Sequence, residues 1–161
     1  MFTFNRHSNQ IVFRRHVQKH WFQEGIMADF KDLLSGISKR QMKADCWLNF
    51  DYKEVENTEL SNKKQAACLL YPELEAVDFD LLITSLSEIE SSLNKNLSNY
   101  CDVSDIIRGI NSNMTEFGNN YYRVMAPKEV HPTPGIYWSF WFIVINKNRG
   151  KAISLCGAAC D

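Results

Sequence analysis

Ile136-Tyr-Trp-Ser-Phe-Trp-Phe-Ile-Val-Ile145 is the stretch on which the fold turns. Tyr137, Ser139, Trp141, Ile143 and Ile145 alternate with Ile136, Trp138, Phe140, Phe142 and Val144, so both faces of an extended chain here are apolar. A strand of that kind belongs in the middle of a sheet, covered above and below. Asn146-Lys-Asn-Arg-Gly150 then supplies turn residues, and Lys151 to Gly157 returns, which predicts a C-terminal hairpin. If helices cover one face alone, Trp138 and Phe140, or Trp141, lie exposed on the other. A patch of that size would mark a partner surface or a homodimer interface.

Upstream, Tyr121-Tyr-Arg-Val-Met125 reads as a short strand, and residues 126–135 hold three of the four prolines, the mark of an extended loop. Cys46, Leu48, Phe50 and Tyr52 alternate with more polar neighbours, as a half-buried strand does. Phe2-Thr-Phe4 and Ile11-Val-Phe-Arg14 flank the polar interval Asn5 to Asn9, which predicts an opening hairpin.

Four helices are expected between and around these strands. The first runs from Trp21 with Ile26, Phe30, Leu33, Leu34 and Ile37 at helical spacing and ends at Gly36. The second spans Ser61 to Tyr71 and stops before Pro72. A third starts at Asp78 or Asp80 as N-cap and carries Leu82, Leu86, Ile89 and Leu93 on one stripe. Asp102 or Ser104 caps a fourth, with Ile106, Ile107, Ile110 and Met114, broken at Gly118-Asn-Asn120. The order predicts one α+β domain over 1–161: a mostly antiparallel sheet with terminal hairpins, packed by helices.

Composition agrees with a single globular unit: 161 residues, 45% hydrophobic, 12% aromatic and 23% charged, which excludes a disordered tail, a coiled coil or a collagen-like repeat. No run approaches the roughly 18 apolar residues of a membrane span, and the first ten residues lack a signal-peptide core. A cytoplasmic protein without membrane contact is expected. Five cysteines, an odd number, stand in apolar surroundings such as Ala66-Ala-Cys68-Leu-Leu70, and read as reduced small hydrophobes.

The net charge of -1 conceals a segregation. Residues 1–43 hold eight Lys/Arg against three acids, residues 44–105 four lysines against thirteen acids, and residues 106–161 six bases against three acids. The acidic block includes Asp51, Glu54, Glu56, Glu59, Glu73, Glu75, Asp78 and Asp80. Part of it suits a helix N-terminus, where carboxylates meet the macrodipole. Gathered on one face, it would steer and hold a basic partner. In the basic block, Arg14, Arg15, Lys19, Lys39, Arg40 and Lys43 share the segment with Phe13, Trp21 and Phe22. Cations interleaved with aromatics suit phosphate contact and base stacking, although no nucleic-acid-binding motif accompanies them.

Chemistry-bearing motifs are few. His16 and His20 stand at helical spacing, and Cys156 and Cys160 could complete a tetrahedral zinc set if the four met. A 161-residue domain has no need of metal for its core, so neither metal nor cofactor is expected. No nucleophile elbow, Walker loop, His-Glu-x-x-His or Gly-x-Gly-x-x-Gly occurs. His131, in the proline-rich loop, and His7 are the other candidate bases, and no enzyme is expected.

Trp138-Ser-Phe140 followed by Asn146-Lys147 resembles the C-terminal box of the eukaryotic repressor of RNA polymerase III. The likeness spans residues 138–147, and the family's acidic Pro-Asp-Tyr-Asp-Phe-Ser segment is absent. The functional expectation therefore rests on charge. It is a non-enzymatic, immunity-type inhibitor, an antitoxin that masks a basic toxin or nuclease through the acidic block. The Asn- and Ser-rich, Gly-poor composition suits a small protein of a bacterial mobile element. The alternative is a nucleic-acid-associated regulator using the basic N-terminal block.

Overall fold

The structure is a computed structural model, and it describes residues 30–38, 41–43, 46–56, 59–60, 62–114, 117–135 and 137–160. The expected opening hairpin lies outside the described residues. The described residues begin with helix α1 (residues 30–38), followed by β1 (Gln41–Lys43) and β2 (Cys46–Val55). Helix α2 (Lys63–Leu70) leads through a 3-10 turn (Pro72–Ala76) into β3 (Asp80–Thr84). Helices α3 (Leu86–Leu97) and α4 (Val103–Asn113) precede β4 (Asn119–Met125), β5 (Trp138–Asn146) and β6 (Lys151–Cys160).

The six strands form one sheet in the order β1-β2-β6-β5-β4-β3, and each neighbouring pair is antiparallel. The domain is α+β. Its centre is the strand that is apolar on both faces in the sequence: β5 lies between β6 and β4, and every residue from Phe140 to Asn146 is buried. Phe140, Phe142 and Val144 join Leu48, Ile153 and Leu155 in a core that α1, α3 and α4 close with Phe30, Leu34, Ile89, Leu93, Ile106 and Ile110. Trp141, Ile143 and Ile145 join Ala152 and Cys156 in a second core, closed by Ala66, Ala67, Leu70, Tyr71 and Leu74 of α2 and its 3-10 turn. Each fully buried Leu, Ile or Phe contributes about 1.5–3 kcal/mol, so the two layers together hold the sheet. Both faces are covered. The conditional expectation of a bare aromatic face is not met: Phe140 and Trp141 are core, and Trp138 is half-buried, stacked on Phe140.

Two helix boundaries differ from the sequence reading. α1 continues through Gly36 to residue 38, because the buried Ile37 outweighs the glycine's cost of about 1 kcal/mol. The stretch from Asp80 to Thr84 is a strand, with Leu81 alone of its apolar residues in the core. The third helix begins instead at Leu86, where Ser85 accepts from the Glu88 N–H and Glu88 accepts from the Ser85 N–H. That reciprocal cap satisfies two otherwise orphaned donors, which neither Asp78 nor Asp80 does here. Among the described residues, no helix is long and apolar enough to cross a membrane.

Candidate functional site

The eight acidic candidates do not share one surface. Asp51 is half-buried on the α2 side of β2, where its Oδ2 accepts from the Tyr71 hydroxyl at 2.8 Å. Glu54, three positions on, falls by strand alternation on the opposite side and accepts from the Tyr52 hydroxyl at 3.2 Å. Burial and the Glu54 charge push the Tyr52 phenol far above its ordinary pKa. Glu56 pairs with Lys151 Nζ at 2.6 Å. Glu59, Glu73, Glu75, Asp78 and Asp80 are exposed or half-exposed. The last four line the connection from α2 to β3, with Leu74 and Phe79 anchoring it beneath them. Among the described residues, Asp80 has a cation nearby, Lys64 Nζ at 3.9 Å, and so open a pair contributes little.

Behind this connection lies a buried polar chain. Tyr71 Oη stands 2.8 Å from Asp51 Oδ2, 3.1 Å from Ser154 Oγ and 3.3 Å from Cys156 Sγ. Ser154 Oγ accepts from Trp141 Nε1 at 3.1 Å and donates to the Phe142 carbonyl at 3.2 Å. The phenol has one proton, and the carboxylate is its nearest and only charged acceptor. The thiol can then donate to the phenol oxygen. Burial pushes the Cys156 thiol up to about 12 and Tyr71 well above its ordinary value. A thiol so protonated is neither a nucleophile nor a ready metal ligand. These groups join β2, β6, β5 and the end of α2.

The remaining candidates divide in the same way. His131 packs edge-on against Trp141 with ring centroids 5.2 Å apart, and its Nδ1 accepts from the Thr133 N–H. Burial holds its pKa below the ordinary histidine value. Among the described residues, no three His, Cys, Asp or Glu side chains converge as metal ligands. His7, His16, His20, Arg14, Arg15, Lys19, Lys39 and Arg40 lie outside the described residues. Lys43 is the last residue of β1.

What the sequence reading missed is the edge of the sheet. Among the described residues β3 is the outermost strand beside β4, and it exposes Leu82 and Ile83, the latter at 83% of its surface. Leu82, expected on a helical stripe, therefore stands on a sheet edge. Lys63, at the start of α2, reaches across and donates from Nζ to the Leu81 carbonyl at 3.0 Å.

No family model and no curated protein sequence matches the chain. Solved structures similar in fold include two crystal structures of citrus MAF1, in space groups C 2 2 21 and P 31 2 1. Each aligns with a TM-score of 0.58 at 10% identity over 81% of this chain, covering 98% and 96% of the respective MAF1 chains. At that identity the likeness is one of fold.

Proposed function

We propose that the chain is a non-enzymatic, protein-binding repressor of the MAF1 kind, which acts on RNA polymerase III by occupying part of its surface. One observation carries the reading: the fold follows that of citrus MAF1 over 81% of this chain and nearly the whole of the other. One short likeness falls at a defined place on that fold. Trp138-Ser-Phe140 and Asn146-Lys147 occupy the central strand β5 and its turn. Repression by occupancy requires no reacting group, only a surface that the partner cannot share with its substrate or factors. The acidic side chains of Glu73, Glu75, Asp78 and Asp80 would raise the association rate with a basic surface. The test is promoter-directed transcription of a tRNA gene by RNA polymerase III with the purified protein added. Transcript yield should fall with protein concentration and recover as polymerase is added. Unchanged yield at saturating protein overturns the reading.

A second reading, an immunity-type inhibitor of a basic toxin or nuclease, is favoured by the same carboxylates. It shares the occlusive mechanism and differs in the partner. Affinity capture from a nuclease-treated lysate at low and moderate salt separates the two: polymerase subunits on one side, a single basic protein released by salt on the other. Under either reading, the combined Glu73→Lys, Glu75→Lys and Asp78→Lys changes should weaken capture. Unaltered capture removes the acidic connection from the binding surface.

A further inference from the structure

We propose that the free edge of β3, from Asp80 to Thr84, accepts an added strand: an extended segment of a partner protein with an aliphatic centre and lysine or arginine at its ends. The proposal rests on the reading of this chain as a binding protein, and it concerns how a partner is held rather than which partner it is.

Sheet edges present unpaired backbone groups, and proteins blunt them with lysine, proline, bulges or a covering element. Among the described residues β3 pairs with β4 alone, so one side of it is open. Its protection is partial. Lys63 Nζ occupies the Leu81 carbonyl, and from Leu81 to Thr84 the strand contains no charge, proline or glycine. Isolated surface aliphatics are ordinary. Here Ile83 at 83% and Leu82 at 52% exposure are adjacent on the edge itself, and Met125, 49% exposed, lies opposite Asp80 on β4. A strand laid along this edge would gain backbone hydrogen bonds and cover aliphatic side chains on both sides of the pleat.

Charge selects the occupant. Residues 65–94 contain six acids (Glu73, Glu75, Asp78, Asp80, Glu88 and Glu90) and neither lysine nor arginine, and the two lysines just before them are already engaged at this edge, Lys63 on the Leu81 carbonyl and Lys64 beside Asp80. Asp78 and Asp80 stand at one end of the strand, and Glu88, bound to Thr84 Oγ1 at 2.9 Å, at the other. Carboxylates at both ends of an aliphatic centre complement a segment of the reverse pattern. A second copy is the poorer fit. Antiparallel pairing of two β3 strands about Leu82 sets Asp80 of each opposite Thr84 of the other, and so towards its Glu88.

The test uses the purified full chain and a labelled probe peptide, acetyl-Lys-Val-Thr-Val-Thr-Val-Lys-amide, read by fluorescence anisotropy, so it proceeds without polymerase or toxin. The probe should bind and should slow amide exchange at Leu81 and Ile83. Ile83→Ser, a change at an exposed side chain that leaves the fold intact, should weaken it about tenfold. Lys63→Met, which frees the Leu81 carbonyl, should tighten it. A probe N-methylated at alternate residues along one edge should not bind. Three results overturn the proposal: no binding of the probe, equal binding of the N-methylated probe, or a concentration-dependent dimer that Ile83→Ser abolishes. The last would place a second copy on the edge. Because polymerase is absent, failure here is distinct from failure of the transcription assay.

Discussion

The Tyr71 hydroxyl lies 2.8 Å from Asp51 Oδ2 and so fastens the end of α2 to β2. The contact is charge-assisted on one side and buried on the other, where the same oxygen meets Ser154 and Cys156. Lys53 Nζ sits over the Tyr71 ring, 4.0 Å from its centroid, and the Trp141 ring packs edge-on at 4.8 Å between centroids. The acidic connection between α2 and β3 therefore hangs on a residue held on several sides.

Tyr71→Phe should destabilise the domain by about 1–3 kcal/mol, the usual cost of deleting a hydrogen bond to a charged group and leaving a buried partner short. The ring contacts survive the change, so the loss reports the hydroxyl alone. Urea unfolding measures it as a lower midpoint at constant slope. An unchanged midpoint would mean that water replaces the phenol at Asp51.

Cys156 should resist alkylation in the native state at pH 8 and react once urea unfolds the chain, as peptide mapping after iodoacetamide would show. Its thiol pKa is pushed up to about 12 by burial, whereas an unfolded cysteine titrates near 8.5. Between those values the folded state retains a proton that the unfolded state gives up. Stability is therefore full below about pH 8.5 and falls as pH rises towards 12. Cys156→Ala should flatten the first part of that decline, before the tyrosines titrate. An equally steep fall in the variant would assign it to Tyr52 and Tyr71.

The centre of this fold was legible in the sequence, and its edge was not. Ile136 to Ile145 announced a strand buried on both faces, and the structure covers it with α1, α3 and α4 on one side and α2 on the other. The Asp102 cap and the stripe of Ile106 and Ile110 likewise appear where periodicity placed them. Leu82 and Leu86 misled because, with Ile89 and Leu93, they continue one helical spacing. Nothing local distinguishes an edge strand whose apolar residues face water from the first turn of the helix that follows. Pairing with β4 decides it, and that is a tertiary fact. The acidic candidates were legible as a charge block but not as a surface. Strand alternation puts Asp51 and Glu54 on opposite sides, and the hydroxyls that claim them come from Tyr71, distant in sequence, and Tyr52.

Ser85→Ala should cost about 0.5–2 kcal/mol, the usual range for losing a helix N-cap. Its partner adds a pH signature. Hydrogen bonds from the Thr84 hydroxyl, the Ser85 N–H and the Ser85 hydroxyl hold the Glu88 carboxyl below its ordinary pKa. Glu88 thus supports the fold above the ordinary carboxylate range, and that support is lost as pH falls through its own lowered value. Thermal unfolding from pH 7 down to pH 3 should show a smaller acid loss for Glu88→Gln than for the parent. Parallel curves would remove the carboxylate from the cap.

Two helical glycines should respond with opposite signs to the same methyl group. Gly36 lies exposed in α1, and a methyl added there would meet nothing within 4 Å. Gly36→Ala should therefore stabilise by about 0.5–1 kcal/mol through helix propensity and reduced freedom of the unfolded chain. Gly109 in α4 gains the same propensity but faces the Phe30 ring of α1, which a methyl there would overlap. Overpacking of that kind costs about 1–3 kcal/mol and outweighs the gain, so Gly109→Ala should be destabilising. The pair Gly109→Ala with Phe30→Leu makes the cause testable, since the smaller side chain vacates the contested space. Urea midpoints for the four-member cycle should show a favourable coupling between the two changes. Additive effects would locate the cost of Gly109→Ala somewhere other than the α1–α4 contact.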